Sequence, residues 1–202
     1  IGFALAKNYG KRFFVGNDIR SSGKILANAL IDGLTSGGAD ITYVGTVSFG
    51  EMLLAGKILK SGITLFITAS HLPPDWNGLK IYYEEGLPFS EKQLQELGNS
   101  ANNIKLVNKQ RLPQVRNINF RRDYINFFVN RLKFKQLKVV IDCGNGATSL
   151  VVPELFRSLG FTVIEVFCNP DPSFPNRESE PKPTNLDVLR SEILKHKADF
   201  GV

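Results

Sequence analysis

Hydrophobic and polar positions change period several times along the chain, and each change marks an element. Ile1 to Tyr9 has the pattern of the last turns of a helix, stopped by Gly10. Arg12 to Gly16 is a short β-rich run. Ile25, Leu26, Ala29, Leu30 and Leu34 then recur at helical spacing, and Gly37-Gly38 closes that helix. Ile41–Val44 predicts a strand, 51–59 a helix, Thr64–Thr68 a strand and Leu79–Tyr83 another. Ser90 caps a helix beginning at Glu91. The polar, Asn-rich stretch 99–119, with Pro113 inside it, predicts a boundary. Beyond it come an amphipathic helix over 120–132, a strand over 138–142, a further helix and strand, and a Pro-rich loop from Asn169 to Pro183. A helix over 185–197 then leads into a last strand at 198–202.

The two halves repeat one design. RFFVGNDIRSSG leads through a helix to GGADITYVG, and LKVVIDCGNGAT leads through a helix to LGFTVIEVF. In each, a strand enters a polar, Gly-containing turn, then a helix, then a strand. The expected fold is therefore α/β: two tandem similar domains, each a mixed β-sheet sandwiched between helices, over residues 1–115 and 116–202.

Composition narrows the class. With 43% hydrophobic residues, 202 residues suffice for one large core or two small ones. No apolar run approaches the ~20 residues of a membrane helix, and no signal leader opens the sequence. The first residue is Ile rather than Met, as in a chain trimmed from a longer one. Cys143 and Cys168 are too few for a disulfide framework, so reduced thiols are the default, although both lie near strand ends and one bridge is conceivable. A cytoplasmic protein without membrane attachment is expected. The net charge of +6 concentrates between Lys105 and Lys138. It comes without a zinc finger, an RNA-binding signature or an aromatic platform, so a solvated face is preferred over nucleic-acid binding.

The chemistry concentrates in Thr68-Ala69-Ser70-His71-Leu72-Pro73-Pro74-Asp75-Trp76-Asn77-Gly78-Leu79-Lys80. Ser70 stands at the carboxyl end of an apolar strand, where ligands of open α/β sheets bind. Two prolines and Asn77-Gly78 restrict the loop to few shapes. A hydroxyl on a stiff loop beside an imidazole can accept a phosphoryl group, and Lys80 can neutralise that group or exchange a proton. Serine next to histidine is by itself commonplace, and no G-x-S-x-G elbow points to a hydrolase.

The whole string resembles the phosphoserine loop of the α-D-phosphohexomutases, phosphomannomutase/phosphoglucomutase type, written T-A-S-H-N-P-x-x-Y-N-G-x-K. VGNDIRSSG, VVIDCGNGA, PSFPNRESEP and the terminal KADFGV resemble further stretches of the same family. The resemblance implies that phospho-Ser70 passes its phosphoryl group to a hexose monophosphate through a hexose 1,6-bisphosphate intermediate. His71 and Lys80 are the implied catalytic partners, and Arg20 an implied substrate contact, with a mere pairing to Asp18 as the alternative. Mg2+ is the implied metal, bound through the phosphate on Ser70 and through aspartates expected after Val202. The implied partner is a small sugar phosphate, mannose or glucose by the Pro-Pro-Asp-Trp-Asn-Gly spelling of the loop. A phosphoglucosamine mutase, or a binder that has lost catalysis, are the alternatives. Leu72 departs from the family's usual Asn. Without the aspartate loop, this stretch alone is expected to be inactive.

A competing motif is Asp142 to Ser149, which partly imitates a dinucleotide fingerprint, with Glu165 where a ribose-binding acid would sit. Its third glycine is replaced by Ser149, and a turn that serves the chain path is the preferred reading.

Overall fold

The computed structural model describes residues 1–60, 62–103 and 114–202. The first half carries α1 (Gly2–Asn8), β1 (Arg12–Asn17), α2 (Gly23–Ser36), β2 (Asp40–Thr46), α3 (Phe49–Ile58), β3 (Ile63–Ile67), β4 (Leu79–Tyr83) and α4 (Glu91–Asn103). Then follow β5 (Val115–Asn117), α5 (Arg121–Val129), β6 (Lys138–Asp142), α6 (Val152–Ser158), β7 (Thr162–Val166), α7 (Asp187–His196) and β8 (Phe200–Gly201).

The first sheet has the order β4-β3-β1-β2-β5, parallel except for β4, which pairs antiparallel with β3. Its central strands are buried on both faces, and side chains alternate between two cores as the period of two requires. Phe13, Val15, Ile63, Leu65 and Ile67 face a core shared with α1, α2 and α4. Phe14 and Phe66 face the other side, against Met52 and Ala55 of α3. The cap expected at Ser90 is used, and the structure adds a second one at Ser48. Ser48 and Glu51 form a reciprocal box that starts α3, at 2.8 and 3.3 Å. Ser90 and Gln93 form the same arrangement before α4, at 2.9 and 3.3 Å.

The second sheet has the order β7-β6-β8, and its pairings are parallel. The duplication read from the sequence is visible in topology. β1-α2-β2-α3-β3 places β1 between β2 and β3, and β6-α6-β7-α7-β8 places β6 between β7 and β8. The strand before Asp18 thus corresponds to the strand before Cys143, and the end of β3 corresponds to the end of β8. α5 joins the halves: Phe120 packs into the α3 core, Ile125 packs with Val151 and Leu155 of the second half, and Tyr124 touches both clusters.

Two expectations change. The polar stretch 99–119 is not all linker, because α4 runs through it to Asn103 and β5 pairs with β2 at its far end. β5 is exposed at all three positions, so it has no apolar alternation to announce it. Residues 104–113 of that stretch lie outside the described residues. The helix expected after Gly146 is a 3-10 turn over Ala147–Leu150 followed by α6, with Pro153 in its first turn.

Leu65 is fully buried in the strand that carries the serine loop. Leu65→Ala should lower unfolding stability by about 2–5 kcal/mol, measured by urea denaturation. A loss under 1 kcal/mol would contradict the packing described here.

Candidate active site

Asp18, Thr68 and Ser70 stand at the carboxyl ends of β1 and β3, which are neighbours in the sheet. The two ends are tied: Asp18 N donates to the Ile67 carbonyl at 3.0 Å, and Thr68 N donates to the Gly78 carbonyl at 3.0 Å, closing the base of the loop. A chain of short contacts runs upward from there. The Thr68 hydroxyl donates to Asp18 Oδ2 at 2.6 Å and accepts from Ser70 N at 2.9 Å. Ser70 itself is exposed and holds φ at +57°, the left-handed region that serine rarely occupies. Asn77 pins the far side by donating to the Ser22 hydroxyl at 2.9 Å.

Arg20 underlies the whole loop. Its side chain has no exposed surface and pairs with Asp18 at 3.2 Å through Nε. One terminal nitrogen donates to the carbonyls of Pro73 at 2.5 Å and Trp76 at 3.0 Å. The other donates to those of Ser70 at 3.0 Å and Leu72 at 2.6 Å. The guanidinium fork suits this convergence because it presents five donors in a fixed plane. Arg20 was expected at the substrate or only in a pair with Asp18, and the pair is formed. The structure places it beneath the loop, with Nε and both terminal nitrogens engaged by the protein.

Ser70, His71 and Lys80 line one cleft of about 500 Å3 between the halves. Lys80 comes from β4, opposite Phe66 in register, and its ammonium lies 5.3 Å from the centre of the Phe49 ring. The facing wall is the second half: Asp142, Arg177 and Val202 line the same cleft. Asp142 and Arg177 form a buried pair at 3.0 Å. Among the described residues no three of His, Cys, Asp or Glu cluster as a metal site.

The second half also grips the serine loop. The Ser179 hydroxyl meets the carbonyls of His71 at 2.5 Å and Leu72 at 3.1 Å. The Phe174 ring lies 5.4 Å from the Arg20 guanidinium carbon. Leu72, the departure in the motif, is partly exposed beside a second hollow that Phe174 also lines.

The Asp142–Ser149 turn is accounted for without a nucleotide. Gly144 has φ +51°, and a Cβ there would stand 2.5 Å from Arg177. The close approach that this glycine permits is therefore to an arginine of the same chain. Glu165 pairs with Arg157 instead of standing free at the strand end. Phe174, Arg177, Ser179 and Asp142 lie in stretches that the sequence singled out by resemblance, but their contacts carried no signal there, because each spans tens of residues.

Comparison with known proteins agrees with this construction. Residues 1–108 match the family "Phosphoglucomutase/phosphomannomutase, alpha/beta/alpha domain I", and residues 118–202 match "alpha/beta/alpha domain II" of the same description. A probable phosphoglucosamine mutase of Methanosarcina acetivorans is 33% identical over 195 residues, 95% of this chain and 44% of the relative. A phosphomannomutase/phosphoglucomutase of Pseudomonas putida is 36% identical over 190 residues, 93% of this chain and 40% of the relative. A crystal structure of a phosphoglucomutase/phosphomannomutase family protein from Burkholderia thailandensis superposes with a TM-score of 0.90 at 28% identity. The match covers 99% of this chain and 46% of that one.

An α/β protein in two tandem domains, with a stiff serine loop facing the cleft between them, is the class that fold and site define. The chain belongs to the phosphoglucomutase/phosphomannomutase family, a branch of the α-D-phosphohexomutases. It spans about half the length of the curated relatives it matches. Among the described residues, no helix is long and apolar enough to cross a membrane.

Removing the clamp tests the loop's construction. Arg20→Ala leaves Asp18 buried without its cation and should cost about 3–5 kcal/mol. Trp76, the chain's single tryptophan, sits on the loop and should change its emission in the native state. Arg20→Lys should not rescue either readout, because an ammonium cannot reach four carbonyls from one plane. Unchanged stability and emission in Arg20→Ala would refute the clamp.

Proposed function

We propose that Ser70 is the phosphoryl carrier of a phosphohexomutase that interconverts hexose 1-phosphate and hexose 6-phosphate through a hexose 1,6-bisphosphate. The observation that carries this reading is the placement of Ser70: an exposed hydroxyl on a left-handed residue, at the end of a buried strand, in a cleft that His71 and Lys80 also line. In the transfer, the bond between phosphorus and Ser70 Oγ breaks as one forms to the sugar hydroxyl. The proton of that hydroxyl needs an acceptor, and Lys80 and His71 are the candidates in the cleft. The intermediate then turns around, and its other phosphate returns to Ser70.

Mg2+ is the metal proposed for this family member, and it would offset charge on the phosphoryl group. The described residues do not make a complete magnesium site, since such a site uses a carboxylate or two beside the phosphate and waters. The reading therefore assigns only the Ser70 phosphate as a ligand from this chain. Val202, at the end of β8, lines the same cleft, which suits a metal loop supplied directly after it.

Two sugar classes compete. The Pro73 to Gly78 spelling favours mannose and glucose phosphates, whereas several relatives carry the name phosphoglucosamine mutase. Comparing kcat/KM for glucose, mannose and glucosamine phosphates on the full-length protein decides between them.

Full-length protein incubated with glucose 1,6-bisphosphate and Mg2+ should gain one phosphoryl group by intact mass, mapped to Ser70. Ser70→Ala should gain none and lose mutase turnover by at least a thousandfold. A variant that is phosphorylated as well as the wild type would overturn the assignment.

A further inference from the structure

Cys143 and Cys168 are the chain's two cysteines, and the phosphoryl chemistry uses neither. Cys143 follows β6, in the turn between Asp142 and Gly144. Cys168 follows β7, the neighbouring parallel strand. The strand ends are stitched together: Cys143 N donates to the Val166 carbonyl at 3.2 Å, and Asn145 N donates to the Phe167 carbonyl at 2.7 Å. This places the residues just past each strand side by side. Both thiols are free, and their Sγ atoms stand 3.2 Å apart. A disulfide needs about 2.05 Å, so closure takes roughly 1 Å of movement between groups already in contact.

Two buried cysteines can be mere core filling, and Cys143 does pack with Val139, Ile141 and Phe161. Core filling does not require the sulfurs to meet, however, and here they do. Nor is the pair sealed off. Cys168 is only half-buried, and Cys143 lines the cleft that Ser70 and Lys80 also line. A small oxidant therefore has a path to both. Residue 167, just before Cys168, holds φ at +50°, so that segment turns sharply toward β6.

The pair also has an order of reaction. In the neutral state the Cys168 thiol can donate to the carbonyls of Ile141 or Val166, each at 3.3 Å. When one proton leaves, the Cys143 thiol can donate to a Cys168 thiolate. That hydrogen bond holds Cys168 below the usual thiol range, against the opposing pull of burial and of Glu165. The same contact, together with burial, raises Cys143. Cys168 is the more accessible sulfur, so reaction begins there, through its thiolate.

We propose that Cys143 and Cys168 form a reversible dithiol–disulfide site in the wall of the active-site cleft, oxidised by hydroperoxides. The Cys168 thiolate attacks a peroxide oxygen, the O–O bond breaks, and Cys168 becomes a sulfenic acid as hydroxide leaves and is protonated. The Cys143 sulfur then attacks the Cys168 sulfur, the S–O bond breaks, and water leaves with the Cys143 proton. Two thiols have lost two protons and two electrons, and hydrogen peroxide has become two waters. An external dithiol reverses the step by exchange. The bond would fix the turn that holds Asp142 and Gly144 under Arg177, on the wall facing Ser70.

The test does not depend on mutase activity. The reduced, folded chain is treated with hydrogen peroxide, then denatured and alkylated with iodoacetamide. With only two cysteines in the chain the titre is unambiguous. Alkylatable thiols should fall from two to none, the intact mass should drop by two hydrogens, and the protein should stay monomeric on a non-reducing gel. Dithiothreitol should restore both thiols. Cys143→Ser should instead leave a Cys168 sulfenic acid that dimedone captures. Cys168→Ala, at the less buried position, should also abolish the two-hydrogen loss, and it keeps the test open if the first variant does not fold. Two thiols surviving the treatment, oxygen added to the wild-type chain without a bridge, or a disulfide between molecules would each overturn the proposal.

Discussion

A guanidinium without exposed surface must be answered by the protein on all sides, and the serine loop is built around that demand. A buried cation with neither partner nor acceptors costs several kcal/mol. Arg20 meets Asp18 for charge and four loop carbonyls for its remaining donors. The dependence runs both ways. The carbonyls of Ser70, Leu72, Pro73 and Trp76 converge on this one group, so the loop's path and the guanidinium's position fix each other. Ser70 pays for its left-handed backbone out of that network, since a strained residue persists only where its surroundings over-determine it.

Asp18 links this clamp to the sheet. It accepts from the backbone and side chain of Arg20 and from the Thr68 hydroxyl, which in turn receives the Ser70 amide. The loop's shape thus depends on β1 and β3 ending side by side. The second domain adds a further hold through Ser179 and Phe174. One wall of the cleft is therefore tied to the other at the residues beside Ser70. Any change in the angle between domains would be felt first by His71 and Leu72, whose carbonyls accept the Ser179 hydroxyl.

Local signals in the sequence were sufficient for most of the elements and for placing the serine loop at a strand end. Period-two strands, the helix cap at Ser90, and the repeated strand–turn–helix design all rest on contacts within a few residues. The failures share a cause. β5 is short and exposed, so pairing with β2, not burial, defines it. Arg20 looks like any cation in a polar turn until the loop fifty residues later is laid over it. Ser179 is one serine in a Pro-rich segment, and its partners lie 107 and 108 residues away. A motif names the residue types that chemistry needs. It does not reveal which of them the fold has already engaged.

That distinction bears on the electrostatics of the cleft. Of the cations near Ser70, Arg20 is neutralised by Asp18 and Arg177 by Asp142, each pair buried. Lys80 also lines the cleft, and among the described residues it faces only the Phe49 ring and no carboxylate. On the proposed reading, a phosphoryl group on Ser70 brings a charge of about −2 to this wall. The paired arginines can shape the site but contribute little net field, because each carries its own counter-charge. One lysine cannot balance two negative charges in a partly enclosed cleft. On that reading, the Mg2+ proposed above would offset the charge that Lys80 leaves uncompensated. On the same reading, Lys80, whose ammonium meets the Phe49 ring among the described residues, would be the cation that responds as negative charge moves between Ser70 and the sugar.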